Sequence, residues 1–157
     1  MNKSKCLRSL ESYGITEKDF DKTKKELSKQ FGKEASDSDT AWKIFNILLM
    51  QNFRDFHKLK MLYYSMALFL NEEGKDHFAM SQQSRKMSIM KYRQDGDIIK
   101  GVEILAKNSC DECKKLNGKK FTFKEALEKM PIPCKDCTHK IYDKTRGFCR
   151  CGYVAVV

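Results

Sequence analysis

Cys110-Asp-Glu-Cys113 and, twenty residues further on, Cys134-Lys-Asp-Cys137 form the stretch from which the chain is best read; Thr138-His139 and Cys149-Arg-Cys151 follow. A Cys-x2-Cys bend lets thiolates at i and i+3 converge on one ion, and two such bends complete a tetrahedral zinc site. Six clustered thiols and His139 supply seven donors. Two closed mononuclear sites need eight, so one structural Zn2+ is the sparing reading, held by Cys110, Cys113, Cys134 and Cys137. Cys149 and Cys151 rival the second pair, because alternate residues of a strand face the same side and a Cys-x-Cys can chelate with more bending. His139 is an alternative ligand, or a hydrogen-bond donor behind the ligands. A site closed by four thiolates leaves no position open for substrate. Its role is folding, where zinc binding of about 10–16 kcal/mol exceeds what so small a core yields alone.

At 157 residues the chain is one ordinary domain, or one domain with a small appended module. No apolar run approaches the length of a membrane span. Basic residues near Met1 are followed by no apolar segment, so an export signal is not expected. The expected compartment is therefore the reducing cytoplasm, where seven cysteines favour metal ligation over disulfides. The formal charge is +10 and uneven. Residues 1–97 hold 18 Lys and Arg against 14 Asp and Glu, whereas residues 98–157 hold 13 against 7. That tail can meet phosphate.

Upstream of the cysteines the pattern is helical. Leu7, Leu10 and Tyr13 share a face that ends at Gly14. Thr16 and Asp19 form a variant capping box, with Ile15 and Phe20 as its hydrophobic staple. Phe20, Leu27 and Phe31 line the helix that Gly32 stops. Ser36-Asp-Ser-Asp-Thr40 supplies another cap. Trp42, Phe45, Leu49, Phe53, Phe56, Leu59, Tyr63, Met66 and Leu70 then step by threes and fours. They predict one long amphipathic helix near 40–72, or two with a bend near Asn52. A further helix over 76–94 turns Met80, Met87 and Met90 inward and leaves Arg85, Lys86 and Arg93 on its outer side. After Gly96 the period changes. Ile98, Val102, Ile104 and Leu105 suggest a strand entering the first Cys pair, Lys119–Phe123 alternates like a second, and Thr122 with Glu125 caps a brief helix. Gly152–Val157 reads as a last strand. The expected fold is α+β: a helical bundle over 1–97 and a zinc-stabilised α+β module, knuckle-like or treble-clef-like, over 98–157.

Cys110-x2-Cys113-Lys-Lys-Leu116-x-Gly118, an intervening strand, then Pro133-Cys134-x2-Cys137-x-His139 resembles the C-terminal zinc-knuckle region of phage head-morphogenesis (minor capsid) proteins. Their pattern is similar to Cys-x2-Cys-x2-Leu-x-Gly followed by Pro-x-His-Pro-x-Cys-Arg-Cys. On that match Cys134 stands where the family has His, Cys137 where it has the first Cys, and His139 where it has the last. Cys149-Arg-Cys151 offers a second Cys-Arg-Cys. The resemblance is confined to residues 102–151. It implies a zinc knuckle and a phage or mobile-element setting.

Lys114, Lys115, Lys119 and Lys120 flank the first Cys pair, with Arg146 and Arg150 beside the last. Zinc modules present such side chains to nucleic acid. Enzyme motifs are missing: there is no P-loop and no Gly-x-Ser-x-Gly. Pro133-Cys134-x2-Cys137 matches half of a zinc-deaminase signature, but no His/Cys-x-Glu supplies the other half. The reading is a non-enzymatic zinc protein that binds nucleic acid through a basic knuckle. The alternative is a protein-interaction module, such as an inhibitor or adaptor of a host protein.

Overall fold

The computed structural model describes residues 1–106, 109–141 and 147–157. Its fold is α+β, with helices leading to a small antiparallel sheet near the cysteines. The chain divides into two compact units, Met1–Phe53 and Arg54–Val157.

In the first unit, α1 (Lys3–Leu10) runs through a 3-10 turn to Gly14, α2 spans Glu17–Phe31 and α3 spans Asp37–Gln51. The starts are fixed locally. Thr16 Oγ1 accepts from the Asp19 amide at 3.3 Å while Asp19 Oδ2 accepts from the Thr16 amide at 2.9 Å, the reciprocal box that Thr16-x2-Asp19 predicts. Ser36 Oγ accepts from the Asp39 amide at 3.0 Å to start α3. Gly32 ends α2 at φ 65°, a left-handed turn that costs glycine little. α3 packs on both α1 and α2. Leu10, Phe20 and Phe45 are wholly buried, with Leu27, Ala41, Ile44 and Leu48 around them. Each large side chain contributes roughly 1.5–3 kcal/mol. Phe31, expected on the inner face of α2, is 54% exposed, because it is the last residue before the Gly32 turn.

The long apolar pattern belongs to two helices, α3 and α4 (Phe56–Glu72), the second of the two arrangements that the sequence allows. The break has a capping residue, since Asp55 Oδ1 accepts from the Lys58 amide at 3.0 Å. Phe53 falls within the break and is exposed.

In the second unit α4 pairs with α5 (Phe78–Gln94) as a helical hairpin. The inward face of α5 differs from the expected methionine face. Met80, Met87 and Met90 are half-buried, while Ser81, Ser84, Arg85, Ser88 and Ile89 are buried. Small side chains permit close approach to α4, and Ser84 Oγ donates to the Lys60 carbonyl at 2.9 Å. Arg85, expected on the outside, comes inside with this face.

Beyond α5 lie β1 (Gly101–Leu105), the single-turn α6 (Asp111–Lys114), β2 (Lys120–Thr122), α7 (Phe123–Lys129) and β3 (Gly152–Val156). The sheet order is β2-β1-β3, all antiparallel, with Glu103 opposite Lys120 and Leu105 opposite Gly152. Val102, Ile104 and Tyr153 turn inward and pack with Ile89, Ala126 and Ile132 around Cys113, Cys149 and Cys151. No helix among the described residues is long and apolar enough to cross a membrane.

Candidate metal centre

Strand pairing brings the cysteines together. β1 runs out at Leu105 toward Cys110, β2 enters from Cys113, and β3 begins at Gly152 directly after Cys151. Because β1 is antiparallel to both neighbours, all of these connections lie at one end of the sheet. The turn after Cys113 is tied to the strand end. The Gly118 amide donates to the Ile104 carbonyl at 2.8 Å, and the Ala106 amide donates to Asn117 Oδ1 at 2.8 Å. Gly118 sits at φ 75°, a turn geometry that the Leu-x-Gly of the sequence supplies.

The limb bearing Cys149 is held by the Cys137–His139 stretch. The Phe148 amide donates to the His139 carbonyl at 2.6 Å. Gly147 lies so close to the Cys137 carbonyl that a β-carbon there has no room. Phe148 is wholly buried, edge-on to Tyr64 of α4 at 5.7 Å and 4.8 Å from the ring of His77. Tyr92 Oη of α5 donates to the Tyr153 carbonyl at 3.2 Å.

The sulfurs fall into two trios that share Cys113. Cys110, Cys113 and Cys137 form one, and Cys113, Cys149 and Cys151 the other, with the atoms of each trio within 4.8 Å of one another. Cys110 and Cys137 sulfurs are 3.8 Å apart, as are those of Cys113 and Cys149. All seven cysteines are free of disulfides. Each trio contains one sulfur surrounded by donors. Burial pushes Cys110 up, but hydrogen bonds from the Cys113 and Thr138 amides outweigh it and bring the thiol down to about 6. The Cys151 side chain, with the Cys134 and Cys151 amides, lowers Cys149 to about 5 against its burial. Burial raises Cys137 to about 11; burial with the charge of Cys149 raises Cys113, and the side chain of Cys149 with burial raises Cys151. Anionic sulfurs backed by amides and clustered with further thiols can hold a metal ion.

Cys134 and His139 contribute differently. The Cys134 sulfur belongs to neither trio, and its backbone amide faces Cys149. His139 offers its amide to Cys137 and its carbonyl to Phe148. Cys149 and Cys151, the rivals in the sequence, join Cys113 in the second trio, while Cys137 joins it with Cys110 in the first.

Of the basic residues, Lys114 is paired with Asp111 at 2.9 Å, Lys115 with Glu112 at 2.7 Å and Lys120 with Glu103 at 3.8 Å. Lys119 and Arg150 are exposed and have no carboxylate partner among the described residues. Arg146 lies outside the described residues. Sequence reasoning missed Arg85, whose Nη2 donates to the Cys149 carbonyl at 3.1 Å, and the gripping role of Phe148. Ser81-x2-Ser84-x3-Ser88 was the available signal for the face that carries Arg85, a small-residue stripe at helical spacing. No family model, no curated protein and no solved structure matches the chain.

Proposed function

We propose that the chain is a non-enzymatic zinc protein whose second unit is ordered by the ion and binds nucleic acid. The observation that carries the zinc reading is the pair of sulfur trios meeting at Cys113. A tetrahedral zinc with bonds of about 2.3 Å has sulfur–sulfur edges of about 3.8 Å, and two sulfur pairs already stand at 3.8 Å. Cys110, Cys113 and Cys137 would hold the ion with one sulfur of the Cys149–Cys151 limb, Cys149 being the one placed at edge distance from Cys113. Bound zinc would cross-link the first knuckle, the second knuckle and the C-terminal limb. Elemental analysis with native mass tests this: one zinc per chain supports it, and metal-free reduced protein with an ordered sheet refutes it.

The nucleic-acid reading is supported by charge. Residues 54–157 hold 21 Lys and Arg against 13 Asp and Glu. With Lys114, Lys115 and Lys120 engaged by carboxylates, Lys119, Lys135, Lys140 and Arg150 are, among the described residues, exposed cations near the cysteines that remain for phosphate. About four phosphate contacts would lower DNA affinity about a hundredfold between 50 and 200 mM salt. Equal affinity at both salts would exclude phosphate contact as the driving force. The knuckle motif's likeness to phage head-morphogenesis proteins supports a phage or mobile-element setting.

One observation favours the alternative of a protein partner. Leu105 and Val154 are exposed on the sheet, 49% and 36% respectively, beside the half-buried Glu103. A complex that survives nuclease treatment and moderate salt would identify that reading.

A further inference from the structure

Arg85 is a buried cation. Its side chain comes from the inward face of α5 and is only 6% exposed. Nη2 donates to the Cys149 carbonyl at 3.1 Å, Nε has no hydrogen-bond partner, and no carboxylate pairs with the guanidinium among the described residues. A guanidinium taken out of water without an anion is costly, and proteins place such groups against a counter-charge. The titratable groups around it are the Cys149–Cys151 limb, the phenols of Tyr64 and Tyr153, and the ammonium of Lys60, a second cation whose pKa Arg85 helps to lower after burial. Protonated thiols would leave Arg85 uncompensated. Four thiolates on a divalent ion carry a formal excess of two negative charges, which is the counter-charge this position lacks.

We propose that Arg85 is a positioning residue for the metal centre, its buried positive charge stabilising the anionic, metal-bound cysteine cluster through the Cys149 limb. The inference rests on the zinc reading and extends it to α5. The hydrogen bond to the Cys149 carbonyl fixes the limb, and the charge favours the cluster only when its sulfurs are ionised. By linkage, whatever favours the bound form raises metal affinity. Partners behind metal ligands are typically worth tenfold to hundredfold in affinity.

The test is zinc affinity of the full chain, measured by competition with a chromophoric chelator, for the wild type, Arg85→Gln and Arg85→Lys. Arg85→Gln should bind zinc about ten- to a hundredfold more weakly, and Arg85→Lys, which keeps the charge, should recover most of the loss. Wild-type affinity in Arg85→Gln overturns the proposal while leaving the zinc reading intact. If Arg85→Lys is as weak as Arg85→Gln, shape rather than charge is at work and the proposal also falls. Should Arg85→Gln fail to fold even in saturating zinc, Arg85→Lys decides alone: near-wild-type affinity supports the charge role and a large loss refutes it. A wild-type chain that binds no zinc removes the zinc reading, and this inference with it.

Discussion

Met1–Phe53 and Arg54–Val157 differ in the chemistry of their buried side chains. The first unit packs Leu10, Phe20 and Phe45 at zero exposure and starts α2 and α3 with side-chain caps. Ion pairs from Lys3 to Glu17 and Asp21 tie α1 to α2 on the outside. These interactions need nothing but the chain. The second unit has short strands, a single-turn helix at its first Cys pair, and three cysteines in the centre of the core that the sheet shares with α5. Where the first unit centres on phenyl rings, this core gathers three buried sulfurs among aliphatic side chains and Tyr153. Thiols pack as small hydrophobes, but their number and convergence are more than packing requires. The lesson is that burial alone does not say what holds a region together; the chemistry of the buried atoms does.

The largest expected effect tests that contrast directly. Removal of the proposed zinc by a strong chelator, or Cys113→Ser, should abolish amide protection in β1 and β3 while α1–α3 keep theirs, as followed by hydrogen exchange. Equal loss in both units, or loss in neither, breaks the comparison. Conversely, Phe45→Ala should destabilise Met1–Phe53 by about 3–5 kcal/mol and leave zinc affinity unchanged. A variant with altered zinc binding would show that the two units are energetically coupled.

Smaller effects sharpen it. Gly147→Ala forces a methyl group against the Cys137 carbonyl and should destabilise the second unit by about 1–3 kcal/mol, seen as an earlier melt of the zinc-loaded chain. Thr16→Ala and Thr122→Ala each remove one half of a capping box and should cost about 1 kcal/mol. Hydrogen bonds from the Thr16 and Thr122 side chains and amides hold Asp19 and Glu125 below the ordinary carboxylate range. Their contribution is therefore complete above that range and is lost as pH falls through the lowered values. In the alanine variants, acid should have less cap stability left to remove.

How much was legible follows from the range of each interaction. Thr16 with Asp19 and Thr122 with Glu125 act within one helical turn, so their spacing alone announces them. The alternation at Val102 and Ile104 and the final Val/Ala run likewise carried their strands. The face of α5 was illegible to an apolar stripe, because it is made of serines and an arginine that gain their places from α4 and from Cys149. The sulfur grouping lay between these cases. Cys-x2-Cys spacing named the chemistry, but the meeting of Cys113 with Cys149 and Cys151 depends on β1 pairing with β3, nearly fifty residues away in sequence.

The position of Cys113 gives the second unit an internal clock. It belongs to both trios and is 1% exposed, whereas Cys110 and Cys137 are half-buried. An alkylating reagent can reach its sulfur only during an opening of the module, so the labelling rate at this atom counts openings. A single adduct there would sever both trios at once.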